Sequence, residues 1–250
     1  MNFVILTAIS LGLVVALMTA VAVAARVTGR VAVVDTAWGL GFVLIAVASA
    51  LDGQHPLSWV LAGLVGVWGI RLASHIGWRS RGQGEDPRYE ALLSGGGGIL
   101  RKVLLPQGLA LWFVSLPVQV AAAATHPDPT WLIVMLGVLV WAFGLGFEAI
   151  GDAQLAAYKK DPDRPPVMDR GLWAWTRHPN YFGDALVWWG IWIAAASVWP
   201  AVLTVLSPIA MTHFIRNITG AKLLERTMMQ RPGYREYAER VPMFVPRRPR

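Results

Sequence analysis

The sequence predicts an all-α membrane protein, a seven-transmembrane helix bundle with its N-terminus outside and its C-terminus cytoplasmic. Three observations predict it: the apolar content, a set of nearly uncharged runs of spanning length, and the placement of the basic residues. Of 250 residues, 55% are hydrophobic and 15% charged, and the mean hydropathy is +0.49. A soluble domain of this size has too little interior to hide so much apolar surface, so a bilayer is the natural solvent.

Met1–Ala25 carries no charge, Val31–Leu51 carries only Asp35, and Val103–Thr125 carries none. Each exceeds the roughly 20 helical residues that cross about 30 Å of hydrocarbon. Four further spans contain polar residues: Leu57–Trp78 with Arg71 and His75, Trp131–Ile150 with Glu148, Tyr181–Trp199 with Asp184, and the shorter Pro200–Ile215 with His213. Ionisable groups in hydrocarbon are costly; they mark either a functional interior or side chains that snorkel from helix ends. Ala22-Val23-Ala24 mimics a signal-peptide cleavage site, but Met1–Ala25 lacks a basic leader and is long for an apolar signal core. It reads as an uncleaved first span.

The charges set the count and the orientation, because cytoplasmic loops collect Lys and Arg while short exported loops avoid them. With the N-terminus outside, the cytoplasmic segments hold 2 basic residues at Arg26 and Arg30, 6 in Arg71–Lys102, 5 in Lys159–Arg177 and 9 from Arg216 onward, the whole complement of 22. The exported links Asp52–Pro56, His126–Pro129 and Trp199–Pro200 hold none. An even number of spans would put the basic tail on the wrong side. The expectation is a multi-pass integral membrane protein, of the plasma (inner) membrane in a bacterium. Inside-positive charge accounts for a pI near 10.2 without nucleic acid, and the basic clusters suit anionic lipid. The absence of cysteine excludes disulfides, thiolate catalysis and iron–sulfur clusters. No metal site is expected, and no protein partner is indicated.

No internal repeat or soluble domain is visible, and residues 1–250 read as one membrane domain. Polar mass gathers in three cytoplasmic segments, Arg79–Lys102, Asp152–Arg177 and Lys222–Arg250. The first holds Gly84-Glu85-Asp86-Pro87-Arg88-Tyr89 and the glycine run Gly95–Gly98. Such a run can expose backbone N–H groups to phosphate, but it lacks the Lys-Ser/Thr ending of a P-loop and follows no strand, so it reads as a flexible turn.

In the second segment, helical spacing brings Glu148, Asp152 and Gln154 within two turns at a membrane exit. Pro179 suits the first position of a helix whose N-terminal N–H groups, flanked by Arg177 and His178, could hold a phosphate-bearing ligand. Contact with lipid headgroups is the alternative for these two residues, and Trp173, Trp175, Trp188, Trp189, Trp192 and Trp199 read as interfacial belts. Asn180 and Asp184 are four apart, on one helix face entering an apolar span, and a bound ligand would satisfy them. In the third segment Tyr234 and Tyr237, three apart, can present rings and hydroxyls to a heterocycle or belong to an amphipathic surface anchor.

Gly171–Asp184 and Leu223–Pro246, with Val34-Asp35-Thr36-Ala37-Trp38-Gly39, Arg71-Leu72 and His75, Gly84–Tyr89, Phe147-Glu148 and Gly151–Leu155, resemble the steroid 5-alpha-reductase family, specifically its bacterial branch of small membrane proteins. The resemblance covers most of the chain. It implies a seven-helix bundle that binds NADPH in a cytoplasm-facing cavity, with residues 130–250 as the cofactor-binding part. The implied reaction reduces a carbon–carbon double bond conjugated to a carbonyl in a lipophilic substrate, steroid-like, isoprenoid or lipid. Carried over by motif, Asn180 and Asp184 contact the nicotinamide half, Asp152 the cofactor's polar moieties, and Arg177 and His178 the region around the phosphates, with Tyr181 a further cofactor-binding residue. Tyr234 and Tyr237 match tyrosines of the enclosing tail, Lys159 stands where a phosphate ligand is expected, and Arg71 is similar to an arginine of the third span.

Steroid reductases polarise the substrate carbonyl with an acidic residue on the second span and a tyrosine on the third. Asp35 stands for the first, but no tyrosine lies near Arg71; Trp68 can donate a hydrogen bond but not a proton. Tyr89 and His75 are the candidates for the acid. Isoprenylcysteine carboxyl methyltransferases resemble the same Arg177-His178-Pro179-x-Tyr181-x-Gly183 motif and tail, so S-adenosylmethionine-dependent methyl transfer is the main alternative. The methyl donor has no phosphates and needs fewer fixed cations than Arg71 and Lys159 would supply. A non-catalytic lipid-binding protein is the third reading, and it gives no purpose to Asn180 with Asp184.

Overall fold

The computed structural model describes residues 3–125 and 127–249, and every regular element among them is helical. In chain order these are α1 (Phe3–Thr28), α2 (Val33–Gly53), α3 (Pro56–Arg79), α4 (Pro87–Ser94), α5 (Leu105–Val114), α6 (Leu116–Ala122), α7 (Trp131–Lys160), α8 (Pro179–Ala195), α9 (Leu206–His213), α10 (Ala221–Met228) and α11 (Tyr234–Arg240). π-Helical turns lead into α5 over Leu100–Leu104 and out of α9 over Phe214–Ile218.

Helices α1, α2, α3 and α7 and the helical run Ala201–Met228 are each long and apolar enough to cross a membrane. Leu100–Val114 and Leu116–Ala122, bent by 42° at their junction, add a sixth crossing if they form one span. The chain is a multi-pass integral membrane protein. The expected span Pro200–Ile215 runs on as helical pieces to Met228, and the expected span Tyr181–Trp199 starts earlier, at Pro179, and ends at Ala195. At 17 residues, α8 is about 25 Å long at 1.5 Å per residue. His126 of the second expected exported link lies outside the described residues, as do Met1, Asn2 and Arg250.

Contacts divide the chain into two compact units, one of Met1–Val134 and Ile191–Ser207, the other of Met135–Gly190 and Pro208–Arg250. In the first unit α2 and α3 form an antiparallel hairpin around buried Phe42, Ile45, Leu57, Leu61 and Trp68, with the rings of Phe42 and Trp68 edge to face at 5.6 Å. The hairpin closes on glycine. A Cβ on Gly39 would lie 2.5 Å from the Gly69 carbonyl oxygen, and one on Gly69 would lie 2.6 Å from that of Gly39.

The second unit is built on a longer seam of the same kind. Gly137, Gly144 and Gly151 recur at seven-residue intervals along α7, and Gly183 and Gly190 along α8. A Cβ on Gly190 would meet the Gly137 carbonyl oxygen at 2.6 Å, one on Gly183 would meet that of Gly144 at 2.5 Å, and one on Gly151 would press the Pro179 ring at 3.1 Å. The pairs descend α7 as they ascend α8, so the helices run antiparallel and touch backbone to backbone. Without a hydrophobic drive between helices in lipid, such small-residue contact and close packing hold them together.

Gly183→Ala places a methyl 2.5 Å from the backbone nitrogen of Glu148, where no flexible side chain can give way. It should destabilise the purified protein by about 1–3 kcal/mol, read as a lower melting temperature in detergent. Gly146 on the same stretch of α7 has nothing within 4 Å, and Gly146→Ala should leave stability equal or raise it by roughly 0.5–1 kcal/mol. Equal melting temperatures for the two variants would remove the seam's role.

Candidate functional site

In the first unit the Gly84–Tyr89 motif folds back onto the start of α2. No side chain of its own caps that helix; instead the Glu85 carboxylate accepts the N–H groups of Val31 and of Ala32, the latter at 3.0 Å. Asp86 caps α4 by accepting the Arg88 N–H at 2.9 Å, with Pro87 at the first helical position. These two carboxylates fix Arg88 and Tyr89 beside Asp35. The Tyr89 hydroxyl donates to Asp35 Oδ1 at 2.5 Å, Arg88 donates to Asp35 Oδ2 at 2.8 Å, and Gln107 Nε2 donates to the Tyr89 hydroxyl at 3.1 Å. Arg88 also grips Asp86 through two nitrogens.

Tyr89 is buried, and burial together with the neighbouring Asp35 carboxylate pushes its hydroxyl pKa up. The fold therefore holds this proton more tightly than the unfolded chain. The stabilisation is complete below the ordinary tyrosine value of 10.0 and is lost as pH rises beyond it. At Asp86 burial favours the neutral acid, but the hydrogen bonds and charge of Arg88 outweigh it and hold the carboxyl below its usual range. Of the candidate acids, Tyr89 has acquired a defined carboxylate partner. Arg71 and His75 stand one turn apart on α3, both half-buried. The glycine run closes over Lys102, whose ammonium donates to the Leu92 carbonyl at 2.7 Å, and a Cβ on Gly97 would strike its side chain at 2.8 Å.

Besides Tyr234 and Tyr237, the described residues of the second unit bury Glu148, Asp152, Arg177, His178, Asp184 and Glu225. Its organising contact is Arg177 with Glu225. Arg177 Nε and Nη2 meet the two carboxylate oxygens at 2.8 and 2.9 Å, and Nη1 donates to the carbonyls of Ala238 and Val241, each at 2.7 Å. The same carboxylate receives the Tyr234 hydroxyl and pairs with His178 Nε2, both at 3.0 Å. Tyr237 donates to the Trp173 carbonyl at 2.6 Å. Burial and the Glu225 charge push the Tyr234 hydroxyl up, and burial and Tyr234 do the same at Tyr237. Arg177, His178, Tyr234 and Tyr237, expected around a ligand, are thus clasping the tail against the segment before α8.

That segment is pinned to α7 in turn. Leu172 N–H donates to Gln154 Oε1 at 2.9 Å and Trp173 Nε1 to the Gly151 carbonyl at 3.1 Å. Gly171 adopts φ +60°, and a Cβ there would sit 2.4 Å from the Gln154 amide nitrogen, so glycine is required on both counts. The seam then brings α8's first turn to Asp152: Asn180 Nδ2 donates to its Oδ1 at 3.2 Å, while Asn180 Oδ1 accepts the Tyr181 N–H at 3.1 Å. Tyr181 stacks on the His178 ring at 5.6 Å. Asp184 lies one turn deeper on α8, and Lys159 in the last turn of α7.

Glu225 was within reach of sequence reasoning. It falls in the Ala221, Leu224, Met228 stripe of an amphipathic helix, where a carboxylate implies a buried cation. The two glycine seams carried a signal too, the seven-residue interval and the Gly39–Gly69 match across a hairpin. Arg88 stood in the Gly84–Tyr89 motif without an assigned partner, and Gln107 carried no signal, because only the fold brings α5 to Tyr89.

Glu225→Ala should leave the Arg177 guanidinium buried without its counter-charge, costing about 3–5 kcal/mol. The tail should then be cut faster by trypsin at the exposed Arg231 and Arg235, with a lower melting temperature; an unchanged digestion rate would argue that the clasp does not hold the tail.

No curated protein and no solved structure matches the chain. The sequence profile of one family, described as "Protein of unknown function (DUF1295)", matches residues 21–241. A protein with these spans and these two polar clusters, matched over most of its length, belongs to the DUF1295 family.

Proposed function

We propose that the protein is a seven-span membrane reductase, N-terminus outside, that uses NADPH to saturate a carbon–carbon double bond conjugated to a carbonyl in a lipophilic substrate. The observation that carries this reading is the Tyr89 hydroxyl on the Asp35 carboxylate, flanked by Arg88 and Gln107. A buried phenol that keeps its proton at neutral pH is suited to serve a carbonyl oxygen as it gains charge. Methyl transfer needs no such donor. The resemblance to steroid 5-alpha-reductases points the same way, with Asp35 and Tyr89 taking the parts of that family's acidic residue and tyrosine.

The residues of the second unit fit a nicotinamide. Asn180 spends one amide hydrogen on Asp152, and the other finds no acceptor among the described residues, leaving a donor for a carboxamide oxygen. NADPH, when bound, supplies the hydride. Asn180, set by Asp152 and by its own helix, orients the ring, and Asp184 supports it from below. With Arg177 engaged by the tail, the cation this unit offers to the phosphates is Lys159, in the last turn of α7. As the β-carbon gains the hydride, Tyr89 would turn its O–H from Asp35 to the substrate's carbonyl oxygen and give up that proton as the oxygen gains the electron pair, and water would return a proton to the phenolate. The enol would then lose its O–H proton to water as the α-carbon gains one.

The inward commitment of Arg177 favours the second reading, S-adenosylmethionine-dependent methyl transfer, in one respect: it removes a cation from the phosphates' reach. Titrating the purified protein with NADPH and with S-adenosylmethionine side by side separates the two, and binding of the methyl donor alone would defeat the reductase. Given a substrate, Tyr89→Phe should lower turnover by roughly 10²–10⁴-fold with NADPH affinity unchanged. Asn180→Ala should keep NADPH binding within about tenfold and lose most turnover, because hydride transfer needs the ring placed to within about half an ångström. Full turnover in Tyr89→Phe would assign the acid elsewhere.

The orientation is tested separately with reporter fusions. Those after Gly53 and Asp128 should report outside, and those after Gly97 and Arg250 inside; a cytoplasmic signal after Gly53 would overturn the first two spans.

A further inference from the structure

The tail ends in a feature that the reductase reading leaves unused. Beyond α11 the chain turns back at Val241, and its return is fastened by the Thr176 hydroxyl on the Phe244 carbonyl at 2.9 Å and by the Arg247 N–H on the Trp175 carbonyl at 2.9 Å. The return encloses a groove of about 450 Å³, lined by Arg240, Arg247 and Arg248 together with Asp169, Glu239 and the buried Tyr237. Arg240 is shared with Asp169 at 3.9 Å, a long and exposed pair. Arg247 and Arg248 make no ion pair among the described residues, yet the backbone bond to Trp175 holds the first of them in place.

Two guanidiniums lining one groove, each offering a fork of N–H donors, suit a phosphate ester. What surrounds them decides its source. Trp175, whose carbonyl accepts the Arg247 N–H, is 43% exposed, and Val245, two residues before Arg247, is 67% exposed. Exposed indole with arginine is the pattern of a bilayer interface. The candidate span Ala201–Met228 ends six residues before α11, which keeps the return close to the membrane. We infer that the Arg240–Arg247–Arg248 groove binds the phosphate of an anionic phospholipid headgroup, with the Asp169 and Glu239 carboxylates available to hydroxyls of the headgroup alcohol. The site is independent of the proposed chemistry, and a lipid seated there braces the tail that Arg177 and Glu225 hold from within.

The test uses the full-length protein in maltoside detergent, titrated calorimetrically with short-chain dihexanoylphosphatidylglycerol below its micelle concentration. Dihexanoylphosphatidylcholine and inorganic phosphate form the comparison arms. The parent should bind phosphatidylglycerol, and Arg247→Gln with Arg248→Gln should weaken it by roughly tenfold or more. The exposed pair Arg226→Gln with Arg231→Gln, outside the groove, should stay within about twofold. Arg248→Gln alone, at an exposed side chain without a recorded bond, guards against misfolding and should cost roughly threefold with an unchanged melting temperature. Equal affinity in the parent and the double variant would overturn the proposal, as would equal binding of phosphatidylcholine. Inorganic phosphate binding as tightly as the lipid would make this a free-phosphate site and overturn the assignment to a headgroup.

Discussion

The second unit depends on two backbones being allowed to touch. Where α7 and α8 meet, glycine faces glycine and bare main chain at Gly144–Gly183 and Gly137–Gly190, and the Pro179 ring at Gly151, at a spacing too tight for an added methyl group. In lipid this intimacy replaces the hydrophobic drive that a soluble helix pair would have. It also sets the chemistry: only at that separation does Asn180 reach Asp152, and only then does the turn before α8 lie against Gly151 and Gln154. The polar cluster is a consequence of the seam rather than an addition to it.

A second layer rests on the first. Arg177 emerges where the turn is pinned, and there it gathers Glu225, Ala238 and Val241 around one guanidinium. A buried ion pair contributes little net stability compared with well-packed apolar side chains, because desolvating both charges is expensive. Its value is geometric. Four directed bonds from a planar donor admit one arrangement of the tail, and the hydroxyls of Tyr234 and Tyr237 reinforce the same one.

Much of this was legible in the sequence, and the failures have causes. Apolar run length and the positions of 22 basic residues exposed a multi-pass helical protein, because hydrocarbon thickness and charge desolvation act on every residue alike. Segments carrying polar residues were harder. Pro200–Ile215 read as short because Arg216 ended the apolar run, although the helical path continues through a π-turn into the amphipathic α10. Asn180, Asp152, Tyr234 and Tyr237, singled out from the sequence, all lie in one unit. Their bonds were not foreseeable, since Arg177 looks identical in sequence whether it faces a phosphate or a carboxylate 48 positions away. Tyr89 and Asp35 lie 54 positions apart, and no helical periodicity links them.

The loop that joins α3 to α4 carries a further implication. It supplies the cap of α2 from Glu85 and the cap of α4 from Asp86, and the first turn of α4 that follows adds Arg88 and Tyr89, which engage Asp35. These bonds share one short backbone, so they are made and lost together. Were the segment to come away from α2, that helix would lose its cap and Asp35 both of these partners in one event.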